Sequence, residues 1–320
     1  MDEQSSMYEL EFPGPAVSDT DGNGPVLIHA LDGYADAGHA LRLLREHLKD
    51  NLNTELVASF DVDELIDYRS RRPSMTFEDG FSGVDEPELN LYAVRDGAGR
   101  PFLLLAGAEP DLRWEGFVTA VAGLAERFGV RSVVGLHAIP MAVPHTRPVS
   151  VTGHGNKPEL RTDLRAWDGA MRLPGSAAGL LELRMADKGY DTLGLSVHVP
   201  HYLAQNDYPE AVLGLLGALR STVGVQLPDG DLPVEAAELR EQIDAQVSSS
   251  AEITSVVEAL EKQYDEAAHA AQPRELLIAD GEAIPTGDDL ASEFEAFLAE
   301  QAGDEQGDDG EGRPGDESGS

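Results

Sequence analysis

Residues 26–49, VLIHALDGYADAGHALRLLREHLK, constrain the fold of this chain more than any other stretch. An apolar run over residues 26–31 stops at a glycine-containing turn, residues 32–38. Leucines at helical spacing follow at positions 41, 44 and 48, with charged residues between them. This pattern predicts a buried strand, a tight turn and the start of a helix. In α/β proteins such a joint lies at the carboxyl edge of the sheet, where ligands bind.

The turn itself does not resemble a phosphate-binding loop. A helix N-terminus offers free N–H groups and a partial positive charge, but Asp32 and Asp36 place two negative charges beside it. Gly33 and Gly38 fit neither G-x-G-x-x-G nor a P-loop. The joint therefore predicts a site without predicting its chemistry. Because the chain must reverse within a few residues, we expect Gly33 or Gly38 to adopt a positive φ or to approach another backbone closely.

Apolar and amphipathic segments alternate through the following residues. We predict further strands at residues 55–60, 89–94, 102–106, 132–138, 149–152 and 192–199. We predict helices at residues 41–49, 61–72, 112–128, 176–188 and 209–223. Residues 73–87 show no regular pattern and are expected to be irregular. The alternation predicts an α/β sheet with crossover connections, and the glycine-rich spacer at residues 95–100 predicts one antiparallel hairpin, so the sheet should be mixed.

We divide the chain into four parts. Residues 1–25 form an N-terminal extension, in which apolar and acidic residues alternate as in an edge strand. Residues 26–228 form the α/β domain. Residues 229–302 lose the strand signal and predict a helical region: a hairpin of two helices within residues 234–264, joined at three serines, and a short helix at 290–298. Residues 303–320 are acidic, nearly free of apolar residues, and expected to be disordered.

Composition limits the classes of function. The 320 residues carry a formal net charge of −36 and no cysteine. The negative charge disfavours binding to nucleic-acid phosphates and to anionic membranes. Halophilic adaptation would produce the same excess of acidic residues. The lack of cysteine excludes disulfides, thiol nucleophiles and thiolate metal sites. No apolar run reaches the roughly 18 residues of a membrane helix, and the acidic N-terminus does not resemble a signal peptide. We expect a cytoplasmic protein.

Histidines near the ends of predicted strands are the first candidates for a site. Four of the nine lie at or just after such ends: His137, His145, His198 and His201. If the strands are neighbours, these side chains converge with Asp32 and Asp36 in a cleft at one edge of the sheet. Aspartate and histidine together suffice for a metal site or for an acid–base pair. The cleft is therefore the candidate site of a small-molecule-binding protein or an enzyme.

Compact catalytic motifs are missing from the sequence. It contains no H-E-x-x-H, and Pro200 prevents a helical H-x-x-H between His198 and His201. It contains no G-x-S-x-G either; Ser176 is most simply a helix N-cap, and residues 153–155 are most simply a turn. We therefore expect structural histidines, no metal and no cofactor. The proline-rich loop at residues 139–148 is stiff and suits a protein partner as well as a pocket.

Several segments together resemble one known family. Residues 32–38, DGYADAG, which include Tyr34, resemble the G-[FYW]-x-D-A-G signature of the PAC2 family, named for proteasome assembly chaperone 2. Residues 135–148, with Pro144, His145 and Arg147, resemble the family's G-x-x-x-x-x-P-H-x-R-P region. Residues 152–155 resemble the glycine turn after it, and residues 198–202 resemble the late-strand segment of actinobacterial members. The resemblance covers residues 26–225.

The resemblance implies a three-layer α/β/α domain around a mostly parallel mixed sheet of nucleoside-phosphorylase-like topology. Eukaryotic and archaeal relatives bind proteasome subunits, which implies a protein partner of that class. Such chaperones often use a C-terminal hydrophobic-Tyr-x motif, which residues 317–320 do not match. We favour a non-enzymatic assembly or interaction protein that forms a homo-oligomer. A hydrolase or nucleoside-type transferase that uses the Asp/His cleft is the alternative.

Overall fold

The strands of this computed structural model belong to two sheets. The structure describes residues 7–17, 24–33, 36–161, 164, 170 and 172–271. Its strands are β1 Tyr8–Leu10, β2 Val26–Asp32, β3 Asn53–Phe60, β4 Met75–Phe77, β5 Phe81–Val84, β6 Leu89–Arg95, β7 Pro101–Ala108, β8 Ser132–Met141, β9 Val151–Gly155 and β10 Asp191–Pro200. Eight of them form the main sheet in the order β1-β3-β6-β7-β2-β8-β10-β9, and β4 pairs with β5 alone.

Parallel strands form the centre of the main sheet. β2 pairs in parallel with β7 and β8, and β8 pairs in parallel with β10. Antiparallel pairs lie on both sides: β1, β3, β6 and β7 on one, β9 and β10 on the other. β2 is an almost continuous run of buried residues, as expected for a strand covered on both faces. The mixed sheet and the β6–β7 hairpin are as predicted from the sequence.

Helices cover both faces of the main sheet. They are α1 Ala40–Asn51, α2 Val62–Leu65, α3 Trp114–Arg127, α4 Ala177–Asp187, α5 Pro209–Val223, α6 Leu232–Ser248 and α7 Ala251–Ala271. Apolar side chains of α1 and α5 pack in one core with one face of the sheet. Those of α3 and α4 pack in a second core with the other face. This arrangement confirms the predicted α/β fold with helices on both sides of a mixed sheet.

The helical hairpin after the sheet is also present. α6 and α7 are joined at residues 249 and 250, within the predicted serine joint. Leu232 and Ile243 of α6 are buried in the core that contains α1 and α5. The predicted boundary at residue 228 between an α/β domain and a helical region remains a prediction, and the described residues up to His269 belong to one compact unit.

Three local predictions were wrong. The helix expected at residues 61–72 is only the four-residue α2, Val62–Leu65. Residues 73–87, expected to be irregular, contain β4 and β5, which pair as an antiparallel hairpin. The Asp-Gly pair at positions 79 and 80 is a common hairpin-turn sequence that could have indicated it. Residues 153–155, expected to be a turn, belong to β9 and pair with β10. Glycine there serves close packing, since a Cβ on Gly155 would lie 2.1 Å from the carbonyl oxygen of Thr192.

The predicted helix at residues 290–298 and the predicted disordered tail lie outside the described residues. Within the residues that the structure describes, none of the helices is both long enough and apolar enough to cross a membrane.

Candidate functional site

The two aspartates of the first turn stabilise the joint between β2 and α1. The Asp32 carboxylate accepts two hydrogen bonds from the Arg45 guanidinium, at 2.5 and 2.6 Å. The Asp36 carboxylate accepts a hydrogen bond from the backbone N–H of Leu41 at 2.7 Å, in the first turn of α1. Burial raises the pKa of Asp36, although this hydrogen bond opposes the shift. Both carboxylates are therefore engaged within the chain.

Gly38 is the glycine of the turn that adopts the predicted positive φ. Gly38 has a φ of +69°, in the left-handed region, and a Cβ there would lie 2.8 Å from the Cβ of Tyr208. At Gly33 a Cβ would come within 2.5 Å of a carboxylate oxygen of Glu109. A larger residue at either position would disturb the packing. Tyr34, the aromatic residue of the family signature, lies outside the described residues.

His145 connects the loop after β8 to the helical hairpin. Its backbone N–H donates to the hydroxyl of Tyr202 at 2.8 Å, and its Nδ1 lies 2.6 Å from the same oxygen. Its Nε2 lies 3.0 Å from the Asp244 carboxylate on α6. The ring is almost completely buried. His145 is thus placed to hold α6 against the loop.

Arg147 makes the corresponding contact with α7. Its guanidinium donates to both carboxylate oxygens of Asp265, at 2.8 and 2.9 Å, and lies 3.2 Å from Glu261. Pro144 is buried beside it. The cavity bounded by this loop and His198 holds only about 10 Å³, which leaves room for at most one water molecule. This part of the expected cleft is packed against the rest of the chain.

His198 and His201 lie in different environments. His198 is buried, and its Nε2 lies 3.2 Å from the hydroxyl of Thr152 on the neighbouring strand β9. His201 is exposed and its ring meets that of Tyr202 edge-on, with 5.4 Å between centroids.

His137 belongs to a polar cluster that the sequence did not reveal. Its Nε2 lies 2.7 Å from Oε1 of Glu182 on α4. The Nε2 of His154 on β9 lies 2.8 Å from the other oxygen of the same carboxylate. His29, on β2, is completely buried, and its Nε2 lies 3.7 Å from Oε1. We call His29, His137, His154 and Glu182 the histidine–glutamate cluster.

Strand alternation separates this cluster from Asp32. Leu27, His29 and Leu31 share the face of β2 that packs against α3 and α4. Asp32 lies on the opposite face, where it meets Arg45 of α1. Asp32 therefore does not converge with the histidines of this cluster, and the Asp36 carboxylate accepts a hydrogen bond from the first turn of α1. Neighbouring strands do bring His137 and His198 to one face, since His137 pairs with Ser196, two residues before His198.

Two glycines provide the space that the cluster occupies. Across four neighbouring strands, His29 pairs with Gly135, Gly135 with Gly194, and Gly194 with His154. A Cβ on Gly135 would lie 2.0 Å from Oε1 of Glu182 and 2.7 Å from the His29 ring. A Cβ on Gly194 would lie 2.1 Å from the His154 ring. The two glycines leave one row of the sheet without side chains at its centre.

The buried carboxylate controls the protonation of the cluster. Burial acts to raise the pKa of Glu182, but the charge and hydrogen bonds of His137 and His154 outweigh it and hold the pKa well below its usual range. Burial also acts to lower the pKa of His137, but Glu182 outweighs it and raises the pKa. For His29 burial dominates and lowers the pKa to about 4, so its imidazole is neutral at pH 7.

The cluster is chemically equipped for two tasks. The ligand-type atoms of His137, His154 and Glu182 all lie within 4.8 Å of one another, so these residues could hold a metal ion. A carboxylate hydrogen-bonded to two imidazoles is also an arrangement in which a proton can be transferred.

Sequence reasoning named only His137 among the four members. His29 was hidden inside an apolar strand, and His154 was assigned to a turn. A signal was available in Glu182, which shares a face of α4 with the apolar Ala178, Leu181 and Met185. A carboxylate on the apolar face of a helix needs a buried partner. Its partners, however, come from strands whose pairing the sequence did not specify.

The fold is that of an α/β protein. Helices cover both faces of its mixed sheet, a helical hairpin follows the sheet, and a polar cluster lies between one face and α4. The model of the PAC2 family matches residues 30–247. This chain therefore belongs to the PAC2 family, as the sequence motifs indicated. No protein among the functionally curated sequences matches it.

Solved structures from actinobacteria are similar to this chain over most of its length. Rv2714 of Mycobacterium tuberculosis, a protein of unknown function, is 57% identical, with a TM-score of 0.80 over 83% of this chain and 93% of that one. A protein of unknown function from Corynebacterium glutamicum is 47% identical, with a TM-score of 0.79 over 82% and 99%. The proteasome-assembly chaperone homologue Rv2125 of M. tuberculosis is 26% identical, with a TM-score of 0.67 over 72% and 99%.

Proposed function

We propose that this chain is a PAC2-type assembly or interaction protein, which acts through its surface, without catalysis, on protein partners. Its homo-oligomeric form is part of this proposal. The observation that carries it is the hairpin of β4 and β5, here called the apolar hairpin. Its four large apolar side chains are exposed: Met75, Phe77, Phe81 and Val84. Monomeric proteins rarely leave such residues clustered in water, and clusters of this kind mark interfaces.

The apolar hairpin has little support from the rest of the chain. Its two strands form a sheet of their own, and a two-stranded hairpin alone is marginally stable in water. Phe77 and Phe81 are 64% and 72% exposed, although their rings meet edge-on with 5.2 Å between centroids. A partner that covered this pair would bury two aromatic side chains, the type that contributes most at interfaces.

We assign a second copy of this chain as the occupant of the apolar hairpin. The chain exposes another apolar patch at the edge strand β1, where Leu10 is partly exposed and Phe12 is 95% exposed. A hairpin from one copy on the edge patch of the next makes a head-to-tail contact. Such contacts form a ring when the rotation between copies closes and a filament when it does not, and the closed ring is the form proposed here. The oligomer then presents several copies of one surface to a heterologous partner. The similarity to Rv2125 makes proteasome subunits the first partners to test.

The experiment compares binding of the host's purified proteasome subunits to three forms of the full chain. These are the wild type, a Phe77→Ser/Phe81→Ser variant, and a Leu183→Ser control that removes an exposed apolar side chain on α4. We expect saturable binding by the wild type and the control, and at least about tenfold weaker binding by the hairpin variant, because a variant that cannot assemble presents one copy of the binding surface and loses the multivalency of the oligomer. Binding that is equal in all three would refute the role of the hairpin, and a complete lack of binding would refute the proteasome as partner.

The histidine–glutamate cluster favours a second candidate, a small-molecule-binding or catalytic role. Compared with the expected Asp/His cleft, this cluster has the denser set of ionisable groups, and the side chain of His154 is 44% exposed. A hydrolase or a nucleoside-type transferase is the class to test. A turnover that is lost in His154→Ala and retained in Phe77→Ser/Phe81→Ser would favour this candidate over the first.

A further inference from the structure

The ligand-type atoms of the histidine–glutamate cluster meet at one point from three separate elements. His137 comes from β8, His154 from β9 and Glu182 from α4. Atoms that bind one Zn²⁺ lie about 2.0–2.2 Å from it, so ligand atoms of one site lie about 3–4 Å apart. The three ligand-type atoms lie within 4.8 Å of one another, so small side-chain rotations suffice to place all three around a single ion.

A second observation, independent of these three residues, points to the same place. His29 is 0% exposed, and neither of its ring nitrogens has a hydrogen-bond partner among the described residues. Its Nε2 lies 3.7 Å from Oε1 of Glu182, so the ring is aimed at the shared carboxylate. Leaving a buried polar group unpaired costs about 1–3 kcal/mol. Such groups are therefore rare in packed cores, and each one requires an explanation.

The backbone around the cluster also favours a ligand site over simple core packing. Gly135 and Gly194 pair with each other at the centre of the row, and a Cβ on either would collide with a member of the cluster. The cluster can also be reached from solvent, because the side chains of His137 and His154 are 21% and 44% exposed. An ion can therefore enter, and one coordination position can remain open to water or substrate.

We propose that His137, His154 and Glu182 bind one divalent transition-metal ion, for which Zn²⁺ is the best fit. Two imidazoles and one carboxylate are nitrogen and oxygen ligands that suit Zn²⁺ and are poor ligands for the soft Cu⁺. Three protein ligands leave a fourth position free, as in zinc sites that activate water. His29 lies behind the site, and its ring faces Glu182, the carboxylate ligand. The metal site does not depend on the proposed interaction function, since it lies away from the apolar hairpin in sequence and uses none of its residues.

The test uses the full chain purified without an affinity tag and treated with a chelator. Isothermal titration with ZnCl₂ and elemental analysis are performed on the wild type, His154→Ala and a His201→Ala control, whose ring is exposed and outside the cluster. We expect one Zn²⁺ per chain for the wild type and the control. The affinity of His154→Ala should fall by at least about tenfold, since even outer-shell changes at metal sites cost 10–100-fold.

A structural role would give a different result. Removing the His154 ring takes a hydrogen bond from the buried Glu182 carboxylate, so the melting temperature of the metal-free protein should fall. The rise in melting temperature on adding zinc should be lost in His154→Ala and kept in His201→Ala, whereas a purely structural role would leave that rise unchanged. Glu182→Gln keeps the side-chain shape and should also lose the ion; if it fails to fold, His154→Ala still decides the matter. The proposal is overturned if the wild type shows no saturable 1:1 binding. It is also overturned if His154→Ala binds as tightly as the wild type, which would place the ion on surface carboxylates.

Discussion

Asp96 shows how one side chain fixes the hairpin between β6 and β7. Its carboxylate is buried and accepts hydrogen bonds from the N–H groups of Ala98, Arg100 and Gln226, at 2.9, 2.9 and 3.0 Å, and from the Arg100 guanidinium at 2.9 Å. Burial acts to raise the pKa of Asp96, but these hydrogen bonds outweigh it and lower the pKa below its ordinary value. The residue therefore stabilises the fold only while it is ionised.

We expect Asp96→Asn to reduce the free energy of unfolding by about 2 kcal/mol at pH 7, because hydrogen bonds to a charged group are lost. A lowered folded-state pKa gives stability that is complete above the unfolded value of about 3.9 and is lost as pH falls through the folded value. The difference between wild type and variant should therefore be constant from pH 7 to about 5 and shrink below about 4. Urea unfolding across this range measures it, with the exposed Asp187→Asn as control. A difference that grew on acidification would contradict the account.

At the scale of secondary-structure elements, α7 is held against the loop after β8. The guanidinium of Arg147 joins Asp265 and Glu261, and the hydroxyl of Tyr264 donates to the carbonyl oxygen of Pro148 at 3.0 Å. We expect Arg147→Ala to release α7 and to raise amide hydrogen exchange over residues 251–265 while leaving exchange in β8 and β10 unchanged. The control is Lys262→Ala, which removes an exposed cation from the same helix. Equal exchange in both variants would show that other contacts hold α7.

Most secondary-structure elements could be predicted from the sequence, but the pairing of the strands could not. Apolar periodicity predicted most of the strands of the main sheet and the helices around them, because the face that an element buries is visible in the local spacing of its apolar residues. The need for the chain to reverse within a few residues predicted a positive φ or a close backbone approach at Gly33 or Gly38, and Gly38 has the positive φ. The histidine–glutamate cluster depends on register, which pairs His29 with Gly135 and Gly194 with His154. These partners are far apart in sequence, so local patterns could not show that they meet. Nor could local patterns show that Asp32 and the histidine–glutamate cluster lie on opposite faces of the sheet.

At the scale of the whole molecule, the exposed apolar hairpin supports our proposal that copies of this PAC2-family chain assemble through contacts with one another. Each copy carries both halves of the contact, the hairpin and the edge strand β1. The net charge of −36 opposes the association of copies, so the apolar contact must overcome this repulsion. Added salt screens the charges and should strengthen the assembly.

The measurement that tests this account most directly is the mass of the full chain in solution, by sedimentation velocity at low and at physiological ionic strength. One chain has a mass of 34.3 kDa. For the wild type and Leu183→Ser the account predicts a discrete multiple of this mass, more populated at the higher salt. For Phe77→Ser/Phe81→Ser it predicts the single-chain mass with an unchanged fold by circular dichroism. A wild type that sediments as a single chain at every concentration and salt, or a hairpin variant that retains the full assembly, would contradict it.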